Sequence, residues 1–363
     1  MNKRFTLLLT LCSFVFVAHA QTDSLPPDEP IDFSQFENAQ VDNTVKRYCT
    51  SKVLGLSPNK LISIGYDFQG AQTIHQTAIA PAPSDVSSQF LSTGHGEVNS
   101  VGGLRLAANV PVISNTNWLV SVGATYWRMK YDFHHTNNNY FMSRLKQNGL
   151  TSMGLNATVF KPFDEKHFLL AFGSADANGT YTLGDAKLMD YLSKPKITVA
   201  GFFGWKRNDR SMIAVGLSRT YRPGAKGIIP LILYNHTFEN RKWGVEALFP
   251  ARAALRRTID ARNLLFFGYE LEGNSYSVIN NTNNAYFNNL ELRRSEIRPR
   301  ITYERQLTGF IWLSAQAGYR INYSYNIDQG DGLRLLGSDD PYYMENTLTN
   351  TWYFQFSVNL VSP

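Results

Sequence analysis

Between residues 297 and 326 the chain alternates in a way that few folds can absorb. Ile311, Leu313, Ala315, Ala317, Tyr319, Ile321, Tyr323 and Tyr325 fall on one face of an extended segment. Trp312, Ser314, Gln316, Gly318, Arg320, Asn322, Ser324 and Asn326 fall on the other. Strand side chains alternate at period two, so this arm is a long ribbon with one apolar and one polar side. Soluble strands usually stop at about 5–6 residues, whereas a strand tilted across a bilayer needs about 9–11. The alternation runs past that length, which predicts a transmembrane strand with lipid on one side and water on the other.

The rest of the chain repeats the pattern. Strand-like segments begin at Leu61 and continue to Val361, joined by six short turns at 114–117, 162–166, 207–210, 239–242, 260–263 and 308–310 and by mostly longer polar loops. About fourteen strands result, with twelve and sixteen also compatible with the boundaries. The expected fold is all-β: a transmembrane, antiparallel, up-and-down barrel with short periplasmic turns and long external loops. An even count lets the first and last strands close without an exposed edge. Trp118, Trp205, Trp243 and Trp312 lie beside proposed short turns, where an interfacial girdle belongs. A soluble sandwich or propeller would also alternate, but it explains the long strands and the turn-side tryptophans less well, and no fixed-period repeat is visible.

The N-terminus supplies the compartment. Lys3 and Arg4 precede the mostly apolar stretch from Phe5 to Val17, and Ala18-His19-Ala20 fits a small-x-small cleavage site. Residues 1–20 therefore read as a signal peptide cleaved near Ala20-Gln21, residues 21–59 as a Pro-rich acidic periplasmic leader, and residues 60–363 as the barrel. Cleavage leaves Cys49 as the one cysteine, so no intramolecular disulfide frames the fold. It also removes two of the 35 basic residues, leaving 33 against 29 acidic, too small an excess to point to nucleic acid. No other apolar run reaches the roughly 18 residues of a spanning helix, so any crossing is made by strands.

The signal, the ladder with its six short turns and the aromatic final segment Trp352-Tyr353-Phe354-Gln355-Phe356-Ser357-Val358-Asn359-Leu360 resemble Gram-negative outer-membrane β-barrel proteins. The stretches Glu246-Ala247-Leu248-Phe249-Pro250-Ala251 and Gly268-Tyr269-Glu270-Leu271-Glu272-Gly273 resemble an uncharacterised barrel family within that class. The resemblance implies a cell outer-membrane location, with outer-membrane lipid and the barrel-assembly machinery as partners, and carries no catalytic residues. Many such barrels end on an aromatic residue, whereas this chain ends Val361-Ser362-Pro363.

The inward face carries whatever individuality there is. A three-residue turn at 308–310 sets Arg320 against Arg298 and Gly318 against Arg300, which keeps the apolar faces of both arms together. The first arm then points Arg294, Glu296, Arg298, Arg300 and Glu304 inward, and the preceding strand adds Glu270 and Glu272 at nearly the depth of Arg300 and Arg298. This lattice reads either as a brace filling the lumen or as an electrostatic screen favouring small anionic or zwitterionic solutes. The expected function is a passive channel or small-solute transporter, not an enzyme. A non-conducting structural or loop-binding barrel is the alternative, and a lipid-modifying enzyme a distant third.

No catalytic centre, cofactor or metal site emerges. His236 and His95 lack a placed serine nucleophile, and His134-His135 on an asparagine-rich loop reads as solvated. Asp328-Gln329-Gly330-Asp331-Gly332 lacks a ligand oxygen at Gly332 and reads as a turn. The stretch 185–192 is expected to form one or two helical turns within a loop.

Overall fold

The computed structural model describes residues 48–78, 93–136, 140–185, 188–221, 227–278, 290–329 and 343–362. The residues read as a signal peptide, 1–20, and most of those read as a leader lie outside them. Residues from Arg47 onward form one compact unit.

That unit is a closed antiparallel barrel. Its strands are β1 (Lys60–Gln69), β2 (Gln72–Ala78), β3 (Gly94–Ser114), β4 (Leu119–Thr136), β5 (Leu150–Pro162), β6 (His167–Gly179), β7 (Lys196–Asn208) and β8 (Ser211–Thr220). They continue as β9 (Gly227–Thr237), β10 (Trp243–Phe249), β11 (Arg252–Asp260), β12 (Asn263–Ser277), β13 (Leu290–Thr308), β14 (Ile311–Gln329), β15 (Met344–Leu348) and β16 (Thr351–Val361). Two short helices, α1 (Tyr140–Asn148) and α2 (Leu188–Leu192), lie on the long-loop side. The sheet runs in chain order and closes where β1 pairs with both β16 and β3. β1 and β2 share one register against β3, with Gln69 opposite Val101 and Gln72 opposite Val98, so they are two pieces of one strand. β15 and β16 stand in the same relation to β1 and β2. Counting each pair once gives fourteen strands, the number read from the sequence.

The outward positions are apolar as a lipid-facing wall requires: Ile62, Ile64, Tyr66 and Phe68 on β1, and Phe354, Phe356 and Val358 on β16, are all exposed. Five of the six short turns share one device. Asn115, Asp164, Asn208, Asn240 and Asp260 each accept a hydrogen bond at Oδ1 from the backbone N–H two residues on, which closes the turn without help from tertiary packing. The sixth turn uses Gly309 at φ 35°, a conformation that costs glycine little.

Four neighbouring strands break their alternation at one level. β14 carries an extra residue at Tyr323, between the pairs Ser295–Ser324 and Glu296–Asn322. β15 and β16 are interrupted at 349–350, β1 and β2 at 70–71, and β3 slips against β4 between Val98 and Ser100. Each bulge or break moves the following residues to the other face. Tyr325, expected to face lipid, is consequently turned inward and buried.

Beyond that level the interior is filled. Ile74, Val98, Val101, Met129, Tyr131, Phe133, Tyr325 and Ile327 pack into one apolar core with Phe141, Met142 and Leu145 of α1. The polar loop expected between β4 and β5 contains α1 instead. It is a helix because those three apolar residues share a face and Gly149, at φ 68°, closes it with an N–H bond to the Leu145 carbonyl. α2 falls within the predicted stretch 185–192; Tyr191 is its buried residue and packs at a tilt against Tyr181, 4.7 Å between centroids.

The opposite wall is lower. β10 and β11 meet at Pro250 and Ala251, and the last β9–β10 and β11–β12 pairs are Ile232–Phe249 and Arg252–Glu270. β9 continues above this hairpin through 227–231 and β12 through 271–277, the latter reaching β6 at Ser277–Gly179. β10 has 7 residues, fewer than the about 9–11 that cross a bilayer.

Candidate functional site

The inward arginines of β13 and β14 meet acidic residues from β13 itself and from two other strands, β1 and β12. Glu296 is fully buried and accepts hydrogen bonds from Arg294 (2.8 Å), Arg298 and Arg320. Arg298 also reaches Glu272 at 3.0 Å and Asp67 at 3.3 Å. Arg105 on β3 closes the ring, 3.1 Å from Asp67 and 3.0 Å from Glu272. Buried charge is tolerable only when paired and hydrogen-bonded, and here each carboxylate faces at least two guanidiniums. Aromatic rings supply the remaining faces. Trp127 lies under Arg105 at 4.5 Å and Arg294 at 5.3 Å, and Tyr353 lies 4.9 Å from Arg298. Gln69 and Gln72 accept from Arg320 where β1 passes into β2.

The hairpin register places Ile297 opposite Ile321 and Arg300 opposite Gly318. Gly318 matters there, because a Cβ would lie 2.7 Å from the Tyr353 ring. Arg300 pairs with Glu270 at the edge of the lattice, where their side chains remain 22% and 30% exposed. Glu304 stands apart near the short turns, held by Lys60 and Ser314. Asp67, Arg105 and Arg252 were not singled out in the sequence. The first two join the lattice only because closure brings β1 and β3 beside the last strands, a contact that no local pattern encodes.

Three of the four girdle tryptophans lie toward the outer surface near short turns: Trp118 and Trp205 are each 39% exposed and Trp243 is half-buried. Lys161 sits 4.3 Å from the Trp118 ring and Arg257 5.1 Å from that of Trp243. Trp312 differs. It shares the parity of Ser314 and Arg320, points inward and is 7% exposed, packed with Leu264 and Val361. Closeness to a turn does not decide the face; parity does.

The β5–β10 side of the lumen carries an apolar cluster. Phe160, Phe168, Ala200, Phe202, Met212, Ala214 and Leu231 form a cluster that also contains Cys49 and Val53 from the segment before β1. That segment crosses the short-turn end of the barrel. Cys49 N–H bonds the Asp164 carbonyl at 2.8 Å, and Leu54 N–H the Asp209 carbonyl at 2.7 Å. Lys206 donates to Thr50 Oγ1 at 2.6 Å and to the Lys52 carbonyl at 2.9 Å. Ser57 donates through N and Oγ to Glu246, which is held in turn by Arg256 at 3.0 Å. Acidic, proline-rich composition suggested an unpacked leader, but residues 48–59 are packed inside the mouth.

His236 and Ser211 are register partners on β9 and β8, yet no hydrogen bond joins them, and His236 stacks on Tyr234 and meets Phe238 edge-on. His135 lies opposite Glu97, while His75 and His95 approach to 3.2 Å between Nδ1 atoms. Among the described residues no group of three or more His, Cys, Asp or Glu side chains converges as a metal site. Asp328 pairs with Arg293 at 2.7 Å; residues 330–332 of that turn lie outside the described residues.

A closed fourteen-strand wall, apolar outside and charged within, defines an integral outer-membrane β-barrel protein. The chain belongs to the family described as Domain of unknown function (DUF6268), whose model matches residues 91–357. No curated protein matches. Among solved structures, a FadL homologue from Pseudomonas aeruginosa is 9% identical, with 83% of this chain and 90% of that one covered at a TM-score of 0.38. An outer-membrane channel from Pseudomonas putida F1 is 11% identical, with 84% and 97% covered at 0.33. Likeness at this level carries no functional argument.

Proposed function

We propose that the protein is an outer-membrane conduit for small anionic or zwitterionic solutes, closed at rest by residues 48–59. The observation that carries this reading is the division of the interior. Half of it, enclosed by β12–β14, β1–β4 and α1, is packed solid by the lattice and the apolar core. The half along β5–β11 keeps partly exposed inward side chains, including Leu233, Leu248 and Arg252, borders Glu270 of β12 and Arg300 of β13, and meets the 48–59 segment at its short-turn end. Brace and filter are then different regions of one lattice. Around Arg105, Arg252, Arg294, Arg298, Arg300 and Arg320 stand four carboxylates, Asp67, Glu270, Glu272 and Glu296, so six positive charges meet four negative ones. The excess favours anions in a confined lumen.

Current through planar bilayers tests this. The wild type is expected to be nearly silent, and Val53→Asp with Leu56→Asp, which unseats the segment without touching the wall, to give sustained current. Silence from both, with folded protein in each, would leave the non-conducting barrel as the function. That second reading is favoured by the packing of α1 into the long-loop end.

A further inference from the structure

One inner row of the barrel changes character at a single strand boundary. Reading across the sheet, Ala214 on β8 faces Leu233 on β9, Leu233 faces Leu248 on β10, and Leu248 faces Arg252 on β11. Arg252 faces Glu270 on β12, and Glu270 faces Arg298 on β13. All have inward parity, so an apolar surface abuts a charged one across adjacent side chains about 5 Å apart. On the apolar side Leu233, Leu248, Ile229 and Phe172 pack against the wall cluster yet remain partly exposed. On the charged side Arg252 is exposed, beside Glu270, which is already paired with Arg300.

We propose that this boundary binds a free amphipathic monocarboxylate, its head at Arg252 and its alkyl body along Leu248, Leu233, Ile229 and Phe172. The site rests on the reading of the β5–β11 half as the solute path, and it narrows the class of solute. One guanidinium supplies the head-group contact, and the neighbouring Glu270 carboxylate disfavours a second negative charge, so a singly charged head fits better than a phosphate monoester. Strands are spaced about 4.8 Å apart, and the apolar surface extends from β10 to β6, farther than a two-carbon acid can cover. An alkyl chain against those side chains gains about 0.8 kcal/mol for each buried CH₂. Access fits as well. Arg252 is the first residue of β11, directly after the low Pro250–Ala251 tip, between the taller β9 and β12. An amphipath can therefore reach the head-group position over the shortest part of the wall.

Equilibrium binding of labelled dodecanoate to the full chain in zwitterionic lipid nanodiscs, corrected for empty discs, tests the site. Saturable binding is expected, reduced at least tenfold in Arg252→Gln, largely restored in Arg252→Lys, and reduced again in Leu233→Ser with Leu248→Ser. Acetate and dodecanol should each compete poorly. Equal retention by Arg252→Gln would mean partition into lipid alone and would overturn the site. Competition by acetate as strong as by dodecanoate would reduce it to a simple anion screen, overturning the site while leaving the conduit intact. Displacement by an anionic phospholipid in the disc would assign the position to a bilayer lipid and overturn the free-acid reading. Unaltered dodecanoate binding by a barrel that passes no current, even with residues 48–59 unseated, would retain the site and remove the conduit. Because Arg252 is exposed, loss of folding is not expected; heat-dependent gel mobility checks it for each variant.

Discussion

The inward positions of β13 read Arg294, Glu296, Arg298, Arg300, Thr302 and Glu304, while those of β7 read Lys196, Thr198, Ala200, Phe202, Gly204 and Lys206. Both belong to one continuous sheet and both alternate against an apolar exterior. The β13 wall is held mainly by buried charges that need one another, so it is expected to be intolerant of loss. The β7–β11 wall is held by apolar contact and hydrogen bonds with a separate segment. On the function proposed above, rigidity and passage fall to different arcs of the wall.

The comparison breaks most visibly at Glu296. Glu296→Ala leaves three buried guanidiniums without their shared acceptor and should cost about 3–5 kcal/mol, read as a lowered urea midpoint for folding into bilayers. A loss below about 1 kcal/mol would mean that the lattice is hydrated and not a brace. On the apolar arc Leu231→Ala should cost toward the lower end of the about 2–5 kcal/mol typical of such truncations, because its surroundings border the lumen. Equal sensitivity at the two sites would erase the distinction between the arcs.

A kinetic test sharpens it. Cys49 is buried, and burial pushes its thiol up from the ordinary value against the opposing charge of Lys206. A raised value keeps the thiol protonated to higher pH, so maleimide labelling should be slow near neutrality. Val53→Asp with Leu56→Asp should speed it at least tenfold. Identical rates would show that residues 48–59 leave the mouth as a matter of course.

The smallest effect concerns the 163–166 turn. Backbone N–H donation from Lys166, the His167 ring and the His167 N–H hold the Asp164 carboxyl down to about 2. A depressed value in the folded state adds stability above the unfolded carboxylate range, near 3.9, and that contribution disappears as the pH falls toward about 2. Asp164→Asn should therefore flatten the acid dependence of the urea midpoint over that window. An unchanged profile would show that the turn hydrogen bonds do not hold the carboxylate.

Strand number, turn positions and the β13–β14 register were legible because each follows from local alternation and turn chemistry. The alternation of Ile311 to Ile321 predicts its own partners, but nothing in Asn322-Tyr323-Ser324 announces the extra residue that turns Tyr325 inward. A bulge is settled by agreement among neighbouring strands, here four at one level. Arg298 and Glu272 could be placed at one depth from turn lengths alone. Asp67 and Arg105 could not, because their contact with Arg298 exists only after the sheet closes. The role of residues 48–59 was hidden for a related reason. Val53, Leu56 and Cys49 are too few to form a core, and acquire one only from the inward face of β5–β9.

Reversal potential under a salt gradient, measured on the Val53→Asp, Leu56→Asp protein, tests the central claim most directly. The account predicts a chloride-favouring potential that Arg252→Glu shifts toward cations. A cation-favouring potential, or one that Arg252→Glu leaves unchanged, would contradict it.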